Sequence, residues 1–171
     1  MTSLLIASAC LGAPTGCTAI PASAEVEAQQ QDALAELGFE FVWPCSARSG
    51  FAVTGIRVDD RRSAADATRL TLVVSLRGDR VYTLTASGTE TPFTAIPQGT
   101  ERLVVRAGDF LASGFAGPSG GGETLGFLQW RREMVTYEIT AVLSPSFTLD
   151  NLRALVLAMA RGDAAENERS R

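Results

Sequence analysis

Leu70-Thr71-Leu72-Val73-Val74-Ser75-Leu76-Arg77-Gly78-Asp79-Arg80-Val81-Tyr82-Thr83-Leu84-Thr85-Ala86 decides the fold class. Leu70, Leu72, Val74 and Leu76 recur at every second position, and Tyr82, Leu84 and Ala86 repeat that period. Successive side chains of a strand point to opposite sides, so a period of two gathers these residues on one face. Gly78-Asp79, flanked by Arg77 and Arg80, has the chemistry of a two-residue hairpin loop. The stretch reads as two antiparallel strands that share a buried face.

The same pattern continues outward. Leu103 to Arg106 and Phe110 to Phe115 form a second pair of runs, joined by Ala107-Gly108-Asp109. Leu125 to Arg131 and Val135 to Val142 form a third, with Val135, Tyr137, Ile139 and Ala141 on one face. Upstream, Phe39-Glu40-Phe41-Val42-Trp43 alternates until Pro44 stops it. In the run from Phe51 to Val58 the apolar set changes from Phe51 and Val53 to Ile56 and Val58, so the face slips at Gly55 and a bulge is expected there.

Two helices bracket the strands. Residues 26–37 carry Val26, Ala33, Leu34 and Leu37 among polar neighbours, and Gly38 follows as a terminator. Near the other end Thr148 is an N-cap and Asp150 suits the positive end of the dipole. Leu149, Leu152, Leu155, Val156 and Met159 fall on one helical stripe. Gly162 is expected to end this helix and residues 163–171 to form a disordered tail. The fold class is α+β: a curved antiparallel sheet of about seven or eight strands, with an N-terminal and a C-terminal helix packed on one face.

Composition narrows the chemistry. The 171-residue chain is 46% hydrophobic and 20% charged, enough apolar material for a single domain with a core. A net charge of -4 makes the chain a poor candidate for sequence-independent nucleic-acid binding, which needs a basic surface. There is no histidine, and all 15 basic side chains are arginines. That removes His-based triads, His metal ligands, Schiff-base lysines and a phosphate-loop lysine.

Residues 1–24 carry no charge, and the apolar stretch from Leu4 to Ala13 is shorter than the ~20 residues a membrane span needs. It suits a secretory leader followed by a tether, with the domain beginning at Glu25. Ala22-Ser23-Ala24 offers a small-x-small cleavage site, and Ala7-Ser8-Ala9-Cys10 offers a lipobox with Cys10 as the lipid attachment point. Cys10 and Cys17 both lie in this leader. That leaves Cys45, beside Trp43 and Pro44, as a lone buried thiol behaving as a small hydrophobe.

Each remaining candidate has a structural reading. Gly114 to Gly122 lacks a following helix and a lysine, so it reads as a flexible loop and not a phosphate cradle. Asp59-Asp60-Arg61-Arg62 lacks the oxygen spacing of a calcium loop, and Arg131-Arg132-Glu133 reads as a charged turn. Ser46 has no base to activate it. Trp43 and Trp130 sit on strand patterns as core anchors rather than a carbohydrate platform. No catalytic, metal or cofactor-binding residue is assigned. Carboxylate-dependent hydrolysis is the remote enzymatic option.

Leu37-Gly38-Phe39 to Pro44, then Cys45 to Gly50-Phe51, form one segment, and Trp130 to Tyr137, followed by the helix entered at Thr148, form a second. Together they resemble an exported bacterial domain family of unknown function, whose members occur in anti-sigma-factor ectodomains and lipoproteins. Arg48 stands where that family has a second proline, and Met134 replaces its turn glycine. The resemblance implies a fold relation to periplasmic lipoprotein carriers and an envelope location, and it brings no catalytic residue. The functional expectation is a non-enzymatic exported module that binds or senses another envelope protein through an exposed face or the Gly114–Gly122 loop. The alternative is a carrier of an apolar ligand such as a lipid or a lipoprotein acyl chain. Large side chains on the strand faces and on the closing helix are expected to fill the interior and leave no room for a lipid tail.

Overall fold

A computed structural model describes residues 17–59, 68–89 and 91–169. A short strand β1 (Thr18–Ala19) and helix α1 (Ala24–Ala35) come first, followed by β2 (Cys45–Ser46). Strands β3 (Phe51–Asp59), β4 (Arg69–Leu76), β5 (Asp79–Ser87), β6 (Glu101–Ala107), β7 (Phe110–Pro118), β8 (Thr124–Arg132) and β9 (Val135–Leu143) follow, and α2 (Leu149–Arg169) closes the chain. The seven long strands form one open antiparallel sheet in the order β3-β4-β5-β9-β8-β7-β6, and β1 pairs with β2 beside it.

The alternation read from the sequence places the core. Leu72 faces Leu84, Leu84 faces Ile139 and Ile139 faces Leu128 across four neighbouring strands. All four are 0% exposed. Trp130 stacks on its cross-strand partner Tyr137 with ring centres 5.3 Å apart. Both helices pack against the sheet, α1 at β3 and α2 over β6 and β7. The α2 stripe is buried at Leu152, Leu155, Val156 and Met159. Its start is reciprocally capped: Asn151 N–H donates to Thr148 Oγ1 at 3.4 Å and Thr148 N–H donates to Asn151 Oδ1 at 3.0 Å. The expected bulge is present, with the β3–β4 register shifting between Val53 and Gly55.

Several local readings need correction. The first hairpin turns at Arg77-Gly78, one residue before Gly78-Asp79, because Leu76 pairs with Asp79. Both turn residues take positive φ, 54° and 96°, as the type I′ turn that matches strand twist requires. Phe39 to Trp43 joins no sheet. It lies across the core instead, where Phe41 stacks on Tyr137 and Val42 N–H donates to the Tyr137 hydroxyl at 3.3 Å. Gly114 to Pro118 is strand and not loop, leaving residues 119–122 as the turn. Gly114 is required by proximity, since a Cβ there would collide with the Phe127 carbonyl. Gly162 does not end α2, which continues to Arg169. A single glycine costs a helix about 1 kcal/mol without breaking it, and Ala164, Ala165 and Glu166 are good helix formers.

The domain also begins earlier than Glu25. Ile20 is buried, its carbonyl accepts from Trp43 Nε1 at 2.8 Å, and Ser23 caps α1 through Val26 N–H. Backbone bonds from Val53 N–H to Pro21 and from Ser23 N–H to Val53 carry the chain along the β3 edge. Cys45 is not a lone thiol: it forms a disulfide with Cys17, with Cα atoms 5.6 Å apart. Two cysteines 28 residues apart carried no spacing signature, and only the β1–β2 pairing brings them together. Cys10 and the other residues before Cys17 lie outside the described residues, as do Asp60 to Arg62.

Candidate functional site

Between α2 and the disulfide-linked β1–β2 pair runs a groove of about 410 Å3. One wall is Ile20 with the Cys17–Cys45 bridge. Phe51 and Phe147 form its floor, their rings meeting edge to face at 6.0 Å. The facing wall is the side of α2 that bears Ala154, Leu155 and Ala158. The volume falls within the ~300–1,000 Å3 of typical ligand pockets.

The room comes from two features. Asn151, Ala154 and Ala158 recur three and four residues apart, so one side of α2 presents short side chains while the Leu152–Val156–Met159 side enters the core. The disulfide then holds the β1–β2 pair beside that short side. The expectation of a filled interior did not extend to this junction, which holds the groove. The signal available in the sequence was the pair Ala154 and Ala158 flanking the leucine stripe.

Polar groups gather at the rim. Ser46, Arg48 and Asn151 line it, and among the described residues no carboxylate does. Arg48 is exposed, and its guanidinium donates to the Ser146 carbonyl at 3.4 Å. Ser46 Oγ accepts from Arg48 N–H at 3.0 Å, so its hydroxyl serves the local turn. Beneath the floor, Tyr82 packs on Phe147 at 5.8 Å and on Phe51 at 6.5 Å. Its buried hydroxyl has no hydrogen-bond partner among the described residues. Burial disfavours the phenolate and holds this phenol far above the usual tyrosine range.

The other candidates are dispersed. Asp59 is paired with Arg57 at 2.8 Å. Arg131 and Arg132 end β8 and precede the turn, and Arg131 donates to the Thr91 carbonyl at 2.7 Å while lying over the Phe93 ring. Trp43 and Trp130 are engaged inside the protein as described. Among the described residues no cluster of acids and cysteines is placed to hold a metal ion, and no helix is long and apolar enough to cross a membrane.

On the outer face, residues 91–100 lead into β6 across β9 and β8. Gln129 Oε1 accepts from Thr94 N–H at 2.8 Å and Thr136 Oγ1 donates to the Thr89 carbonyl at 3.0 Å, so side chains of the sheet satisfy the crossing backbone. Phe93, Ile96, Val104 and Leu111 remain exposed. Comparison with family models, curated proteins and solved structures finds no match for this chain.

Proposed function

We propose that this is an exported, non-enzymatic binding domain that holds the apolar chain of an anionic amphiphile in the groove between α2 and the Cys17–Cys45 pair. The observation that carries this reading is the groove itself: apolar walls, a rim that has no carboxylate among the described residues, and the Arg48 guanidinium at its mouth. The apolar walls suit a hydrocarbon chain, and the guanidinium suits a carboxylate or phosphate head. The disulfide supports export, because structural disulfides persist in oxidising compartments. Packing of residues 17–24 favours processing at Cys10 over cleavage after Ala24. The latter cut would remove the Ser23 cap, buried Ile20 and the Cys17 half of the disulfide.

Titration with a fluorescent fatty acid tests this reading. Saturable binding is expected, and Ala158→Trp should abolish it by filling the groove while leaving the thermal melt unchanged. Arg48→Glu should weaken the fatty acid by about tenfold, the scale of one charge-assisted contact, and leave the matching fatty alcohol unaffected. Absence of saturation, or full binding by the folded Ala158→Trp variant, would defeat the proposal. A second reading, recognition of another envelope protein, draws on the exposed apolar side chains of the outer face.

A further inference from the structure

The sheet ends differently on its two sides. The β3 edge is lined by the chain leading into α1, through the backbone bonds of Val53 with Pro21 and Ser23. The β6 edge has no such cover among the described residues. Ala107 and Phe110 flank the two-residue loop Gly108-Asp109. Such a flanking pair exchanges both of its backbone hydrogen bonds. Val105 and Leu103 then bond toward β7, and the backbone groups of Arg102, Val104 and Arg106 point away from the sheet. The same three residues put their side chains on the outer face, since Leu103 and Val105 between them are buried. Val104 is 47% exposed, and on β7 Leu111, the cross-strand partner of Arg106, is 41% exposed. Arg102 and Arg106 are exposed and have no ion-pair partner among the described residues.

We infer that the β6 edge accepts an extended segment of a partner protein as an eighth strand, and that this segment carries acidic side chains two residues to either side of an apolar one. The main-chain groups of Arg102, Val104 and Arg106 supply the ladder, as in strand-addition recognition. Acids opposite Arg102 and Arg106, with an apolar side chain opposite Val104, complement the outer face. A second copy of this chain fits poorly. Antiparallel pairing about Val104 would set Arg102 of one copy against Arg106 of the other, and like charges placed opposite destabilise a ladder. The inference deepens the protein-recognition reading and is independent of the groove.

The test uses the whole domain with its disulfide intact and a labelled blocked peptide of alternating Thr and Glu with Val at its centre. Fluorescence anisotropy at low salt should saturate, and backbone amide shifts should concentrate at residues 101–107. A peptide with Lys in place of Glu should bind at least about tenfold more weakly, as should Arg102→Glu/Arg106→Glu, the scale of two partly exposed charge pairs. Neither arginine touches the core, so that variant should melt like the parent. The lysine peptide keeps the test decisive on unaltered protein. No saturation, equal affinity for both peptides, or a dimer paired through β6 would overturn the inference. Saturable binding with shifts elsewhere would overturn the edge while leaving protein recognition standing.

Discussion

Gly126 lies directly beneath Leu152: a Cβ on the glycine would sit 2.7 Å from Leu152 Cδ2. Leu152 can approach β8 this closely because Gly126 puts no side chain there. Gly126→Ala should cost about 1–3 kcal/mol by overpacking, and Leu152→Ala about 2–5 kcal/mol by leaving a cavity. In the double variant the new methyl occupies the vacated space, so its loss should fall short of the sum of the two. Denaturant unfolding of the four proteins measures the coupling. Strict additivity would show that the contact is not shared. Leu152→Asp should be more damaging than Leu152→Ala, since it sets a charge against the sheet.

Reduction of the Cys17–Cys45 bridge should lower stability by about 3.6 kcal/mol, the chain-entropy value for closing a loop of this length. Cys17→Ser should behave like the reduced protein. Melts with and without reductant, together with thiol counting, check this. The loss should also weaken amphiphile binding, because one wall of the groove is held by that bond.

Tyr82→Phe should leave stability unchanged or raise it by about 1 kcal/mol, since it removes a buried hydroxyl that has no partner. The pH dependence separates the two proteins. Below the usual tyrosine value of about 10, the residue is neutral in both folded and unfolded chains. Above it the unfolded chain ionises while the folded one stays protonated, because burial has raised its pKa. The unfolded state then binds fewer protons, so stability falls as pH rises. As pH rises above about 10, parental protein should lose stability more steeply than Tyr82→Phe. Equal slopes in urea titrations would contradict the assignment.

Gln129→Leu should destabilise by about 1–3 kcal/mol, the cost of buried polar groups left unpaired. Gln129 is 1% exposed, accepts from Thr94 N–H, and donates to the Pro92 carbonyl and to Glu138 at 3.3 Å. Its loss should free the crossing segment before the sheet melts. Faster amide exchange at Thr94 and faster proteolysis within residues 91–97 are the expected readouts, with β4 and β5 unaffected.

Much of the fold was legible in local pattern. Strands β4, β5 and β9 show a period of two and the α2 stripe a helical period, and the structure follows both. The slip from Phe51 and Val53 to Ile56 and Val58 marked a bulge without any knowledge of the partner strand. Phe39 to Trp43 has the same alternation and is not a strand. Nothing local distinguishes a strand from an extended segment whose side chains pack on Tyr137 and whose indole bonds the Ile20 carbonyl.

Composition and periodicity by themselves determined that this is an α+β domain with a one-faced antiparallel sheet. They also determined that its chemistry excludes histidine and lysine, because residue type and strand pleat are properties of the chain alone. Tertiary structure decided the strand order, the covered β3 edge and the exposed β6 edge. It also decided the union of Cys17 with Cys45 and the groove beside α2. Each depends on residues far apart in sequence meeting in space, and neither a period of two nor a helical stripe says what lies on the other side of a contact.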